Sequence, residues 1–158
     1  MRITALYIGR VGDVIVATPL LRALRRRYPK ARIRLLVSWR SLEVMPLIPF
    51  VDEWAVLDKT PRVLKHLKLA WQVLSEPCDL LVDLNSSFSK TSTIIAKGVR
   101  APRKVAFDKG KGPSAFTETV PAPGEKEHMY DRYGRLAAAL DAPYDAELEL
   151  RLPKADQA

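Results

Sequence analysis

The residue best placed to do chemistry near the start of the chain is Asp13, which follows Gly12 in a short glycine-containing loop. An apolar run at residues 3–8 precedes the loop, and residues with helical spacing follow it. A carboxylate at such a strand-to-helix turn has two interpretations. It can cap the helix by accepting backbone N–H groups, or it can act as a general base for a substrate hydroxyl. The residues alone leave both open.

The loop that carries Asp13 is suited to close contact with a ligand. Its glycines let a ligand approach the backbone, and the N–H groups at a helix start attract anions. The loop lacks the Gly-x-Gly-x-x-Gly pattern of dinucleotide sites and the Gly-Lys-Ser/Thr ending of Walker loops. We therefore predict that Arg10 and Gly12 contact a substrate rather than one of those nucleotides.

A second polar cluster follows the apolar run at residues 79–84. It contains Asn85, Ser86, Ser87 and Lys90. Amide, hydroxyl and ammonium groups together offer the donors and acceptors that a sugar or a phosphate requires. The same residues would also suit a serine-rich turn that caps the next helix. We retain both interpretations and predict that these four residues bind substrate.

A third set of candidates is basic. Arg62, Lys65 and Lys68 recur at three-residue steps on one face of a predicted helix, and Lys109 lies in a long loop. These side chains could hold an anionic substrate, although a solvated helix face would have the same spacing. The two histidines, His66 and His128, are too isolated to suggest a metal site. We predict no metal and no cofactor.

The composition restricts the class of protein. The 158 residues suit one domain, and one cysteine excludes both an intramolecular disulfide and a cysteine-based zinc cluster. No secretory signal or membrane-spanning run is visible, so we expect a cytoplasmic protein. The net charge of +8 favours an anionic partner. We predict no nucleic-acid binding, because the basic residues at 22–34 lack an aromatic stacking pattern or a recognised motif.

Strand and helix patterns alternate along the chain. Strands are predicted at residues 3–8, 33–37, 54–58, 79–84 and 104–107, with helices after the first loop, at 62–74, around 94–96 and at 130–140. This alternation predicts an α/β fold with an open, mostly parallel, doubly wound Rossmann-like sheet. We expect residues 108–127 to form a long loop, residues 1–151 to form the domain, and residues 152–158 to be a tail or linker.

Several segments resemble glycosyltransferase family 9, the family of the lipopolysaccharide heptosyltransferases. Residues 10–24 (RVGDVIVATPLLRAL) are similar to its opening Gly-Asp and Thr-Pro motif. Residues 78–84 (CDLLVDL) and 101–107 (APRKVAF) resemble two later strand motifs, and His128 with Arg132 resembles a His-x-x-x-Arg motif. The motifs occur in the family's order over nearly the whole chain.

The resemblance implies the N-terminal, acceptor-binding half of a GT-B architecture. In the family the aspartate of the Gly-Asp pair is the general base, and this position is Asp13. The implied reaction is inverting sugar transfer without a metal, from an ADP-sugar donor to an anionic saccharide such as the lipid A core. The implied location is the cytoplasmic side of the inner membrane, with peripheral contact.

The sequence departs from the family in two ways. The polar cluster that contains Lys90 is shifted by one residue relative to the family motif, and no segment resembles the family's donor-binding C-terminal domain. We therefore expect the ADP-sugar to be bound outside this chain, either because the chain is truncated or because a partner chain supplies that domain. A binding module without catalytic activity is the alternative.

Overall fold

The computed structural model describes residues 1–57, 71, 75–110, 115–122, 124 and 126–151. These residues form a six-stranded parallel sheet in the order β3-β2-β1-β4-β5-β6. The strands are β1 (Arg2–Tyr7), β2 (Arg32–Ser38), β3 (Glu53–Leu57), β4 (Leu80–Asp83), β5 (Arg103–Phe107) and β6 (Glu118–Val120). The helices are α1 (Val11–Val16), α2 (Thr18–Arg27), α3 (Lys90–Gly98) and α4 (Met129–Ala139), with a 3₁₀ segment at Trp39–Leu47.

The central strands are buried because helices cover both faces of the sheet. On one face, alternate β1 residues such as Ile3 and Ala5 pack in a core that includes Leu21 of α2 and Leu136 of α4. On the other face, Leu6 packs in a smaller core with residues of α3. The predicted α/β fold with an open parallel sheet is confirmed.

The break between α1 and α2 occurs close to Pro19. α1 ends at Val16, and α2 begins at Thr18 with Pro19 in its first turn. Proline suits this position, because the first N–H groups of a helix have no partner within the helix. The apolar stripe at residues 14–24 predicts a helix that is kinked at Pro19 or begins there, and in the structure α2 begins at Thr18.

The long loop predicted at residues 108–127 was wrong in one respect. β6 lies within it and extends the sheet beyond β5, where Ala106 and Phe107 pair with Thr119 and Val120. A three-residue strand leaves too short a periodic pattern to recognise in the sequence. The predicted helix at 62–74 falls mainly outside the described residues, as does the tail at 152–158. No helix in the described part of the chain is both long enough and apolar enough to cross a membrane.

A buried arginine joins α2 to the last described segment. The Arg22 side chain is only 7% exposed and makes an ion pair with Asp145. Its second terminal nitrogen lies 3.4 Å from Glu147 and 3.3 Å from Glu149. A buried guanidinium needs such partners, because leaving it uncompensated costs several kcal/mol. These contacts hold residues 145–149 against the domain.

Much of the basic run at residues 22–34 is paired with acidic side chains. Arg25 lies 2.6 Å from Asp52, and Arg32 and Arg34 each lie 2.8 Å from Glu53. Arg32 and Glu53 are the first residues of β2 and β3, so these ion pairs lie at the amino ends of the strands. The positive charge of the run is thus largely neutralised at the end of the sheet opposite the strand carboxyl ends.

Replacing Arg22 with methionine should reduce the free energy of unfolding by about 3 kcal/mol, because three acidic groups lose their shared partner. Chemical denaturation monitored by circular dichroism measures this change. Arg26→Met is the matched control, since Arg26 also pairs with Asp145 but its side chain is 51% exposed. The control should cost about 1 kcal/mol or less. Equal losses in the two variants would contradict the structural role of Arg22.

Candidate functional site

A cleft of about 400 Å³ opens at the carboxyl ends of β1 and β4. Parallel α/β sheets bind their ligands at this end of the strands. The lining comes from the loop after β1, the loop after β4 and the start of α4. The lining residues are Tyr7, Ile8, Gly9, Arg10, Asp13, Leu84, Asn85, Ser86, Ser87, Met129 and Arg132.

Asp13 lies in the first turn of α1, and its carboxylate is not a helix cap. The cap position belongs to Arg10, and no side chain caps the helix there. The carboxylate instead accepts a hydrogen bond from the Tyr7 hydroxyl, with 2.6 Å between Tyr7 Oη and Asp13 Oδ2. The capping interpretation was therefore wrong. A half-buried carboxylate on a ligand-sized cleft can accept a proton from a bound hydroxyl.

The Tyr7 side chain at the end of β1 donates to Asp13, and its position requires a glycine at residue 9. Burial raises the pKa of Tyr7, and the hydrogen bond to Asp13 and the charge of Asp13 raise it further. The phenol therefore stays protonated and can donate to the carboxylate. The tyrosine ring lies so close to Gly9 that a Cβ there would come within 2.3 Å of the hydroxyl oxygen. Only glycine fits this position while the ring keeps its place.

Asn85 faces the cleft and also joins the two central strands. Its side-chain oxygen accepts the Ile8 backbone N–H at 3.0 Å, and its amide nitrogen donates to Asp83 at 2.6 Å. Ser86 and Ser87 follow it on the cleft wall and are more exposed than Asn85. The predicted substrate residues at these three positions are thus brought together with Arg10 and Asp13.

The serine-rich stretch divides into a cleft part and a capping part. Ser89 caps α3 by accepting the Ser92 backbone N–H at 3.2 Å, and the Ser92 hydroxyl donates back to the Ser89 carbonyl. Lys90 is the first residue of α3, and its side chain is exposed. It is not among the lining residues of the cleft. Substrate binding by Lys90 stays a prediction, whereas the capping interpretation of the stretch holds for Ser89.

The side chain of Lys109 is buried against the carboxyl end of β4. Its ammonium lies 2.6 Å from the Asp83 carboxylate, which is fully buried, and the lysine side chain is 7% exposed. The ammonium also lies 5.5 Å from the centre of the Phe116 ring. The pair anchors the segment after β5 to the end of β4. Because the ammonium already has a partner, binding of an anionic substrate by Lys109 stays a prediction.

Several residues that line the cleft were not among the predicted site residues. Tyr7, Met129 and Arg132 line it, and Arg132 also donates from Nε to the Glu127 carbonyl at 3.1 Å. The sequence signal that pointed to Arg132 was the His-x-x-x-Arg motif. Its histidine, His128, caps α4 by accepting the Tyr130 backbone N–H.

The remaining predicted residues are Gly12 and three basic residues of the predicted helix at 62–74. Gly12 is exposed beside Asp13, and a Cβ at this position would meet nothing within 4 Å. Arg62, Lys65 and Lys68 lie outside the described residues. Their predicted role is therefore untested by the geometry.

The two glycines of the loop should respond in opposite ways to alanine. Gly9→Ala should lower the free energy of unfolding by about 1–3 kcal/mol, because the new methyl group meets the Tyr7 ring. Gly12→Ala should leave stability unchanged or raise it slightly, since alanine favours a helical turn and finds open space. Thermal and denaturant unfolding of both variants measure the contrast. A stable Gly9→Ala protein would contradict the tight packing.

Lys109→Met should lower the free energy of unfolding by about 3–5 kcal/mol, because it leaves the buried Asp83 carboxylate without its cationic partner. Denaturant unfolding measures the loss. Lys97→Met is the control, since Lys97 is exposed in the last turn of α3, and it should cost about 0.5 kcal/mol. Pairing Lys109→Met with Asp83→Asn should recover part of the loss. Simple addition of the two single effects would contradict a coupled pair.

Comparison with known proteins agrees with this architecture. A family 9 glycosyltransferase from Veillonella parvula superposes with a TM-score of 0.81 at 22% identity, over 97% of this chain and 45% of that chain. The E. coli heptosyltransferase WaaC, solved with ADP, gives 0.75 at 12% identity over 94% and 50%. The E. coli ADP-heptose lps heptosyltransferase II gives 0.76 at 20% identity over 98% and 47%.

No protein-family model matches the sequence, and no curated protein does. The solved structures therefore carry the comparison, and at these identities they show the fold. The chain spans about half the length of each of them. It has the α/β fold of one half of a family 9 glycosyltransferase.

Proposed function

We propose that this chain is the acceptor-binding half of an inverting glycosyltransferase that acts on an anionic saccharide. The observation that carries the proposal is the position of Asp13. Its carboxylate lies on a cleft of about 400 Å³ at the carboxyl ends of the central strands, within a fold shared with family 9 glycosyltransferases. A base in that position can activate a hydroxyl of a bound sugar.

The proposed reaction is a single displacement. Asp13 takes the proton of the acceptor hydroxyl while that oxygen bonds to the anomeric carbon of the donor. The bond from this carbon to the phosphate oxygen of the ADP group breaks, and ADP leaves with the bonding electrons. Attack from the face opposite the leaving group inverts the anomeric centre. General base catalysis of this kind contributes about 10²–10⁴-fold to a rate.

The cleft offers groups for both parts of an anionic saccharide. Arg10 and Arg132 line it and can pair with carboxylate or phosphate groups. Ser86 and Ser87 also line the cleft and can bond to sugar hydroxyls. A phosphorylated core saccharide of lipid A satisfies both, and one of the similar structures is an lps heptosyltransferase. Such an acceptor would bring the chain into peripheral contact with the cytoplasmic membrane face.

The donor is proposed to be an ADP-sugar bound outside this chain. WaaC, whose structures contain ADP or ADP-2-deoxy-2-fluoro heptose, is about twice as long as the matched region. A partner chain or a further domain would complete the site, and catalysis requires both halves to align donor and acceptor.

Isothermal calorimetry with a phosphorylated Kdo-containing core saccharide, and separately with ADP-heptose, tests this assignment. The chain should bind the saccharide and not ADP-heptose. Arg132→Ala should weaken saccharide binding roughly tenfold or more, because it removes a charged hydrogen-bond donor from the cleft. Arg27→Ala is the control, since Arg27 is exposed at the far end of α2. Binding of ADP-heptose without saccharide binding would overturn the assignment.

The role of Asp13 is tested separately with Asp13→Asn. This variant should still bind the saccharide, because a general base acts on the transition state more than on the bound ground state. Added to a donor-binding half that supports transfer by the natural chain, it should lose nearly all transfer. The natural chain could instead bind the saccharide but show no transfer with any donor-binding half. That result would favour a non-catalytic binding module.

A further inference from the structure

The only hydrogen bond made by the Asp13 side chain to the described residues comes from Tyr7. The hydroxyl of Tyr7 reaches Oδ2 at 2.6 Å, while Oδ1 has no hydrogen-bond partner among those residues. The two oxygens of the carboxylate are therefore not equivalent. Oδ2 accepts the hydrogen bond of the neutral Tyr7 hydroxyl. Oδ1 accepts none from the described residues, and it belongs to a half-buried side chain that lines the cleft.

The donor itself is held rigidly. Tyr7 is the last residue of β1 and is only 6% exposed. Its ring lies against Gly9, where a Cβ would come within 2.3 Å of the hydroxyl oxygen and 2.6 Å of Cζ. A buried ring on a central strand has little freedom to move, so its hydroxyl is a fixed point from which Asp13 can be oriented.

Protonation of the tyrosine is also secured by its surroundings. Burial raises the pKa of Tyr7, and the hydrogen bond to Asp13 adds to this. The raised pKa keeps the hydroxyl protonated, so that it can donate to the carboxylate. A hydrogen bond from a neutral donor to a carboxylate is among the stronger ones in proteins.

We propose that Tyr7 is a positioning residue for Asp13: its hydroxyl holds Oδ2 so that Oδ1 is the oxygen that receives the substrate proton. The inference rests on the proposed function in one respect, since Asp13 must be the base for the orientation to serve catalysis. The orientation itself is a property of the isolated chain and can be measured without substrate.

A second buried tyrosine provides a matched control. Tyr133 on α4 is 1% exposed, and its hydroxyl has no hydrogen-bond partner among the described residues. Burial, followed by the charge of Asp13, raises its pKa, which shows that it lies within electrostatic range of the same carboxylate. Tyr133→Phe removes a buried hydroxyl from this region without removing the hydrogen bond to Asp13.

The test is an NMR measurement of the Asp13 Hα–Hβ couplings in the purified chain, its Tyr7→Phe variant and its Tyr133→Phe variant. One large and one small coupling report a dominant rotamer with χ1 of about 180° or about −60°, and two intermediate couplings report averaging. The natural chain and Tyr133→Phe should show one rotamer favoured by roughly tenfold. Tyr7→Phe should show averaged couplings, with the dominant rotamer reduced to about half of the population.

The proposal is overturned if Tyr7→Phe keeps the couplings of the natural chain, or if Tyr133→Phe averages them to the same extent. Should Tyr7→Phe fail to fold, the hydroxyl proton of Tyr7 is followed in the natural chain and in Asp13→Ala. A downfield, slowly exchanging proton that is lost in Asp13→Ala supports the hydrogen bond, and an ordinary hydroxyl signal in the natural chain refutes it. None of these outcomes depends on sugar binding, so an incorrect acceptor assignment would leave them unchanged.

Discussion

The carboxylate of Asp83 is fully buried at the end of β4, and its charge has to be compensated where it lies. Three donors do this: the backbone N–H and the side-chain amide of Asn85, and the ammonium of Lys109. Asn85 then accepts the backbone N–H of Ile8 and connects β4 to the end of β1. Through these contacts a single buried charge holds together the two central strand ends and the segment that follows β5.

The floor of the cleft depends on this network, and the wall that carries Asp13 depends on a second, smaller one. Tyr7 at the end of β1 requires glycine at position 9, and the ring held there donates to Asp13. Packing against the Tyr7 ring thus explains why position 9 is a glycine. Gly12 has open space around it, so packing does not explain the glycine there, and ligand contact at this position stays a prediction.

The basic residues behind the net charge of +8 fall into two groups, those paired with acidic residues in the fold and those that line the cleft. Arginines on α2 and β2 form ion pairs with acidic residues such as Asp52 and Glu53 and stabilise the fold. At the cleft, Arg10 and Arg132 line a space that can receive an anionic ligand. Local charge at the cleft, rather than the overall excess, supports the proposed anionic acceptor.

The sequence by itself determined the order of the first five strands, the helices α3 and α4, and the position of the loop that carries Asp13. Those features follow from short-range patterns: apolar runs for β1 and β4, helical spacing in α2, and a glycine pair before a carboxylate. Polar residues after β1 and β4 line one cleft because parallel strands end at the same edge of a sheet.

Only the tertiary structure decided what each polar side chain does. Lys109 and Asp83 are 26 residues apart, and Asn85 and Ile8 are 77 apart, so no local pattern records their hydrogen bonds. Tyr7 and Asp13 are only six residues apart, but the geometry of the turn between β1 and α1 decides whether they meet. Arg132 joins the cleft from α4 through packing that no local pattern reports. Periodicity reports which face of an element is buried, whereas the partner of a polar group depends on packing between distant segments.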